Sequence, residues 1–179
     1  MRARDTFLAS IPAFAMLLLG VAAPASARLW QPTPQQQTAD YLNITHNKAG
    51  ETIAISWTAS PLVSAPTMKP VLDKYVVLSI AHIHRTPDGT TLWDDVQGVQ
   101  VRDGAGQALK EVPSDQVSPV LVGVIASAEA ITRQASQGKS KVYWSVWEAG
   151  AVNACQRGKL VVSYNGENYS FDTPIPGCP

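Results

Sequence analysis

The chain has 179 residues, with 14 basic and 14 acidic side chains, and 45% of its residues are apolar. This neutral balance argues against a protein that captures nucleic acid or anionic lipid by electrostatic attraction. The composition also excludes collagen-like repeats and coiled coils, so we expect an ordinary globular protein.

The first 27 residues have the pattern of a secretory signal peptide. Arg2 and Arg4 precede an apolar run over residues 11–23, and residues 25–27 (Ala-Ser-Ala) supply a cleavage site of small residues. The run is shorter than the about 20 residues that a membrane-spanning helix needs. We therefore expect cleavage after Ala27, export to the bacterial periplasm or the exterior, and no membrane span in the processed chain. The alternative is an uncleaved N-terminal anchor.

Residues 28–40 form a segment rich in glutamine and proline, which predicts an extended leader with little packing of its own. Trp30 lies in this leader, where it is either an exposed anchor or docks back on the fold. The remaining residues, 41–179, are predicted to form a single globular domain.

Alternating apolar residues predict strands in the first half of that domain. Residues 52–57 place apolar side chains on one face, which is typical of a half-buried strand, whereas residues 75–84 are apolar on both faces and predict a central strand. A turn at residues 86–89 then leads into a predicted antiparallel return over residues 92–101.

The period changes to that of a helix over residues 114–137. Ser114 or Asp115 is predicted to cap this helix, Pro119 is acceptable in its first turn, and Gly138 is predicted to end it. The apolar face is expected to pack on the sheet, and its members are Val117, Val120, Leu121, Val124, Ala128 and Ile131. Residues 141–147 return to a strand pattern, and residues 148–157 are predicted to contain a short helix.

The C-terminal segment predicts a β-hairpin that brings two cysteines together. Asn165-Gly166 is a strong signal for a two-residue turn, and it sets Tyr164 opposite Glu167. Extending this register places residue 176 opposite Cys155, two residues short of Cys178, so we expect the two thiols to lie close together. An exported chain also matures where disulfides persist. We therefore predict a Cys155–Cys178 disulfide; two free or redox-active thiols are the alternative.

Together these elements predict an α+β fold dominated by β-structure. It consists of an antiparallel sheet with one main amphipathic helix packed on it and a C-terminal β-hairpin, and a β-sandwich is the competing architecture. Trp57, Trp144 and Trp147 are expected in the core, and Trp93 is expected to be the most exposed tryptophan.

His82 and His84 are the most suggestive candidates for chemistry. Strand alternation places both imidazoles on one face, about 6–7 Å apart, which suits two ligands of one transition metal. Asp88, Asp94 and Asp95 follow nearby in the sequence. The competing interpretation is a pair of surface histidines at the wet end of a strand, and a catalytic or pH-sensing role is a third.

Three functions remain open from the sequence. The first is an exported, soluble, non-enzymatic module that binds an unidentified protein or small molecule of the cell envelope, with no cofactor and no nucleic acid. The second is a periplasmic metal-binding protein that uses His82 and His84. The third is an enzyme without a recognisable motif, since the chain has neither a Gly-x-Ser-x-Gly nor a His-Glu-x-x-His sequence.

Overall fold

A computed structural model describes residues 41–46, 50–63 and 65–178. The predicted signal peptide and leader, including Trp30, lie outside these residues. The strands are β1 (Leu42–His46), β2 (Glu51–Thr58), β3 (Tyr75–Arg85), β4 (Thr91–Trp93), β5 (Gln100–Asp103), β6 (Tyr143–Glu148), β7 (Gly158–Tyr164) and β8 (Glu167–Thr173). The α-helices are α1 (Lys69–Leu72) and α2 (Pro119–Ala135), and single 3-10 turns occur at Ser60–Leu62 and Ser114–Gln116.

Five strands form the first antiparallel sheet, and β3 is its central strand as the sequence predicts. β1 pairs with β2 and β2 with β3. The other edge of β3 is shared, because its first half pairs with β6 and its last three residues pair with β4. Apolar residues on both faces of β3 fit this position, since each face is covered by another layer.

The second sheet has the order β5-β7-β8, and its hairpin has the predicted register. Tyr164 pairs with Glu167, Val162 with Tyr169 and Leu160 with Phe171. Asn165 and Gly166 both have positive φ, at 51° and 78°, as a two-residue turn of this kind requires. The local sequence therefore predicts both the turn and the register of this element.

The two sheets pack face to face. The observed α+β fold therefore contains the β-sandwich that the sequence suggested as the alternative architecture. Ile55 and Leu78 from the first sheet and Leu160 from the second are fully buried in one cluster between them. Trp57 packs edge-to-face on Phe171, with ring centroids 6.0 Å apart. Side chains of β1 close one side, where Asn43 Nδ2 donates to the carbonyl of Ser170 on β8 at 3.2 Å.

A second apolar cluster lies on the outer face of the five-stranded sheet, where α2 packs. Leu121 of α2 is buried there with Val77 and Val146, and Ile125 and Trp144 are half-buried against them. The prediction that the helix packs on the sheet is therefore confirmed. Its predicted packing face is only partly right, because Val120 and Ile131 are exposed.

The helix also starts later than the sequence suggested. Ser114 lies in a separate 3-10 turn, and the N-cap of α2 is Ser118, whose Oγ accepts a hydrogen bond from the Leu121 amide at 3.4 Å. Pro119 occupies the first helical turn, where its missing N–H costs nothing.

The helix ends at Ala135 with Ser136 as its C-cap, and the next residue, Gln137, has the left-handed φ of 53°. Gly138, the glycine predicted to end the helix, has a φ of 81° and lies one residue beyond that position.

Two predicted elements are wrong. Residues 92–101 do not form one return strand: β4 ends at Trp93, and the chain then crosses to the other sheet, where β5 begins at Gln100. Residues 148–157 contain turns and no helix. Among the described residues, no helix has the length and apolar character to cross a membrane.

The tryptophans differ from the prediction at one position. Trp57 and Trp147 are buried, as expected for core residues. Trp144, also expected in the core, is only half-buried, and Trp93 is half-buried as well.

Candidate functional site

The structure places His82 inside the sandwich rather than at a solvated strand end. Its side chain follows Ile80 on the inner face of β3 and is only 8% exposed. Nδ1 lies 2.9 Å from the hydroxyl of Tyr164 on β7, and the two rings meet edge-to-face. His82 therefore joins the two sheets through one buried polar contact. The interpretation of His82 as a surface residue is wrong.

The second nitrogen of His82 faces a carboxylate. Nε2 is buried without a hydrogen-bond partner, and Asp94 Oδ2 lies 3.7 Å away, which is too long for a hydrogen bond. The hydrogen bond between Nδ1 and the Tyr164 hydroxyl can run in either direction, because it depends on which imidazole nitrogen carries the proton. Burial, followed by the nearby Asp94 charge, raises the pKa of Tyr164.

His84 lies on the same face of β3 and is half-buried, opposite Glu51 of β2. Of the three acids suggested by the sequence, Asp94 is the one that contacts His82. Asp88 instead accepts hydrogen bonds from Thr86 and Thr90, which lower its pKa. Asp95 forms an ion pair with Lys141 at 3.2 Å.

These residues stop short of a complete metal centre. Among the described side chains, no group of three or more His, Cys, Asp or Glu residues converges as metal ligands. The His82–Asp94 pair is the part of the predicted metal site that the fold brings together.

Cys155 and Cys178 lie close together, as predicted. Their sulfur atoms are at bonding distance and their Cα atoms are 5.2 Å apart. The backbone carbonyl of Ala154 accepts the hydrogen bond of Ile175 beside them, which ties the two segments together independently of the sulfurs.

A groove between α2 and β6 is the feature that the sequence did not reveal. It has a volume of about 810 Å³, which is within the range of small-ligand sites. One wall is the α2 face with Val122, Ile125 and Ala126, and the other is the segment that precedes the helix. Trp144 of β6 forms part of the lining. The charged side chains that line the groove are Glu111 and Glu129.

Polar side chains also line this groove. The Tyr143 hydroxyl donates to Glu111 Oε1 at 3.0 Å. Burial, followed by this bond to the carboxylate, raises the pKa of Tyr143 to about 12. The indole Nε1 of Trp144 is buried and makes no hydrogen bond within the described part of the chain.

A smaller polar pocket of about 370 Å³ adjoins the groove and shares Glu129, Val142 and Tyr143 with it. Two cations, Arg133 and Lys141, and two further acids, Asp94 and Asp95, line this pocket. The pocket is therefore much more highly charged than the groove.

The sequence contained one indirect signal for the groove. Val122 and Ile125 lie outside the apolar stripe that was assigned to core packing, so α2 carries more apolar surface than a single packing face needs. Val122 is 49% exposed and lines the groove.

Comparison with protein-family models, with curated proteins and with solved structures finds no match to this chain.

Proposed function

We propose that this protein is an exported, non-enzymatic binding module of the bacterial cell envelope, periplasmic or secreted. The signal-peptide pattern of residues 1–27 supports export. The cysteine pair at bonding distance supports maturation in an oxidising compartment.

The α2–β6 groove is the proposed binding surface, and the observation that carries this proposal is its combination of size and apolar lining. Val122 and Ile125 present apolar surface to a groove of about 810 Å³ beside Trp144. A concave apolar site with a few polar groups at its rim is typical of ligand-binding proteins. The proposed ligand is a small molecule or a short peptide segment with an apolar body.

A titration with the neutral fluorophore N-phenyl-1-naphthylamine tests the groove. Residues 28–179 should enhance its fluorescence, and Val122→Asp should abolish the enhancement by placing a charge in the apolar lining. Val120→Asp is the matched control, because Val120 lies on the same helix with the same 49% exposure but does not line the groove. Equal loss in both variants, or no enhancement at all, would contradict the proposed surface.

Export is tested separately by expressing the full chain in a Gram-negative bacterium. The periplasmic fraction or the medium should contain a protein whose N-terminal sequence begins at Arg28. Retention of Met1 in the membrane fraction would instead indicate the uncleaved anchor.

Metal binding at His82 and His84 is the second candidate function. The buried Nε2 of His82, which lacks a hydrogen-bond partner beside Asp94, favours it. Calorimetric titration with Zn²⁺, Cu²⁺ or Ni²⁺ should show one site that disappears in His82→Ala/His84→Ala. His84→Ala alone, which leaves the buried contact with Tyr164 intact, should weaken the site without affecting the fold. Unchanged binding in both variants would exclude these ligands.

A further inference from the structure

We propose that the first residues of the processed chain, Arg28 to Trp30, occupy the α2–β6 groove of the same molecule. The leader would then be a strap that crosses the outer face of the five-stranded sheet and competes with any external ligand. The inference rests on the processing after Ala27 and on the groove proposed above. Charge, apolar character, reach and backbone pairing each support it.

Charge is complementary between the segment and the groove. The charged side chains that line the groove, Glu111 and Glu129, are both acidic. A chain that begins at Arg28 carries two positive groups at its first residue, the α-ammonium and the guanidinium. The cations Arg133 and Lys141 line the adjoining pocket and not the groove.

Apolar character is also matched. Leu29 and Trp30 follow Arg28 directly, and they are the large apolar side chains of residues 28–40. The groove offers Val122, Ile125 and Ala126 as apolar partners. Burying a leucine and a tryptophan against such surface is favourable by the hydrophobic effect and needs no further ligand.

The leader is long enough to reach the groove. The strand register fixes where the leader joins the domain, and so how far away the groove lies. Leu42 pairs with Ser56, Ser56 with Ser79, and Ser79 with Trp144, so one row of residues runs from β1 straight to the groove. This row covers three strand spacings, or about 14 Å. The ten residues 31–40 span about 35 Å when extended, which is ample for the crossing.

The edge of β6 offers backbone groups to an extended segment at this point. The Val112 amide donates to the Val146 carbonyl, and the Glu148 amide donates to the Lys110 carbonyl, so the outer edge of β6 is covered as far as Val146. Strand alternation directs the N–H and C=O of Trp144 to the same outer edge, beside the groove. An extended segment can pair with these groups as an added strand does.

Photo-crosslinking tests the location of the leader directly. The protein is the chain of residues 28–179, released from an N-terminal fusion so that Arg28 is its first residue, with Trp30→p-benzoylphenylalanine. Irradiation should give intramolecular crosslinks from position 30 to residues 111–126 or 142–146, located by mass spectrometry. The yield should be independent of protein concentration, and it should fall with Val122→Lys, which opposes both the charge and the apolar contact, but not with Val120→Lys.

Crosslinks to another surface, crosslinks between two molecules or the absence of crosslinks would each overturn the strap. Fluorophore binding separates this failure from failure of the groove itself. With the strap, Trp30→Ala removes a competitor and should tighten N-phenyl-1-naphthylamine binding at least about threefold relative to Gln36→Ala. Equal affinity in these two variants, with Val122→Asp still abolishing binding, would reject the strap and retain the groove.

Discussion

His82 is a polar residue held between two sheets, and among the described residues its side chain makes one hydrogen bond, to Tyr164. Tyr164→Phe keeps the ring but removes the hydroxyl, which leaves Nδ1 of the buried imidazole without a partner. We expect a loss of about 1–2 kcal/mol in the free energy of unfolding, as is usual for such deletions. Urea denaturation of the variant and the parent protein measures it.

Tyr143→Phe is the control for this prediction. Its hydroxyl also binds a side chain, Glu111 Oε1 at 3.0 Å, but this hydrogen bond is exposed to solvent. Water can replace the lost partner, so we expect a change below about 0.5 kcal/mol. A similar loss in both variants would show that the buried histidine contact has no special role.

Gly50 is a glycine whose replacement should be costly for two reasons. Its φ is +83°, and an added Cβ would lie 2.9 Å from the carbonyl oxygen of Arg85. The backbone cannot move away freely, because the Arg85 amide donates to the Gly50 carbonyl at 3.0 Å. Gly50→Ala should therefore combine left-handed strain with a backbone clash.

Gly89→Ala isolates the strain alone, since Gly89 has a φ of +85° but open space around the added Cβ. We expect about 1 kcal/mol of destabilisation for Gly89→Ala and clearly more for Gly50→Ala. Thermal unfolding of the two variants compares them, and equal shifts in Tm would contradict the proposed clash.

At the scale of single residues, the sequence predicts the strand face on which a side chain lies better than it predicts the residues that contact that side chain. Strand alternation places His82 and His84 on one face, and that much is local. The burial of His82 depends on Tyr164, which belongs to the other sheet and lies 82 residues later. No local pattern indicates that contact, and none indicates that Asp94 rather than Asp88 or Asp95 reaches the imidazole.

At the scale of elements, the start of α2 gives a direct test. Ser118 is the N-cap, with its Oγ accepting from the Leu121 amide, whereas Ser114 lies in the preceding 3-10 turn. Ser118→Ala should destabilise the protein by about 1 kcal/mol, and Ser114→Ala should leave its stability nearly unchanged. The same unfolding assay distinguishes the two variants. A larger loss of stability for Ser114→Ala than for Ser118→Ala would instead support Ser114 as the cap, as the sequence suggested.

Elements defined by neighbouring residues are predictable, and elements that depend on crossing between sheets are not. The β7–β8 hairpin follows from Asn165-Gly166, because the turn fixes the register of both strands. The segment from Leu92 to Val101 alternates like one strand, yet its two ends belong to different sheets. The connection from one sheet to the other is stabilised by packing against residues that are distant in the sequence.

At the scale of the whole molecule, the cysteine pair fastens the C-terminal segment to the loop before β7. Cys155 and Cys178 are separated by 23 residues. In the chain-entropy description, closing a loop of this length stabilises the fold by about 3 kcal/mol. Cys155→Ser/Cys178→Ser should lose about that amount in urea denaturation, and a loss below about 1 kcal/mol would show that this segment is held mainly by its other contacts.

The α2–β6 groove belongs to this scale as well, because three separate segments create it. Val122 comes from the helix, Val112 from the segment before it and Trp144 from β6. The sequence indicates each segment as an element or a connection, but their separation in space is set by how far α2 stands from the edge of the sheet. This is why the groove could be found only in the folded chain.

Amide NMR of ¹⁵N-labelled residues 28–179, titrated with N-phenyl-1-naphthylamine, tests the central claim most directly. If the groove is the binding surface, the amides of Val122 and Ala126 and the indole N–H of Trp144 will shift in a saturable manner, whereas those of His82 and Tyr164 will not. Shifts confined to the His82–Tyr164 end of the sandwich, or no saturable shifts at all, would contradict it.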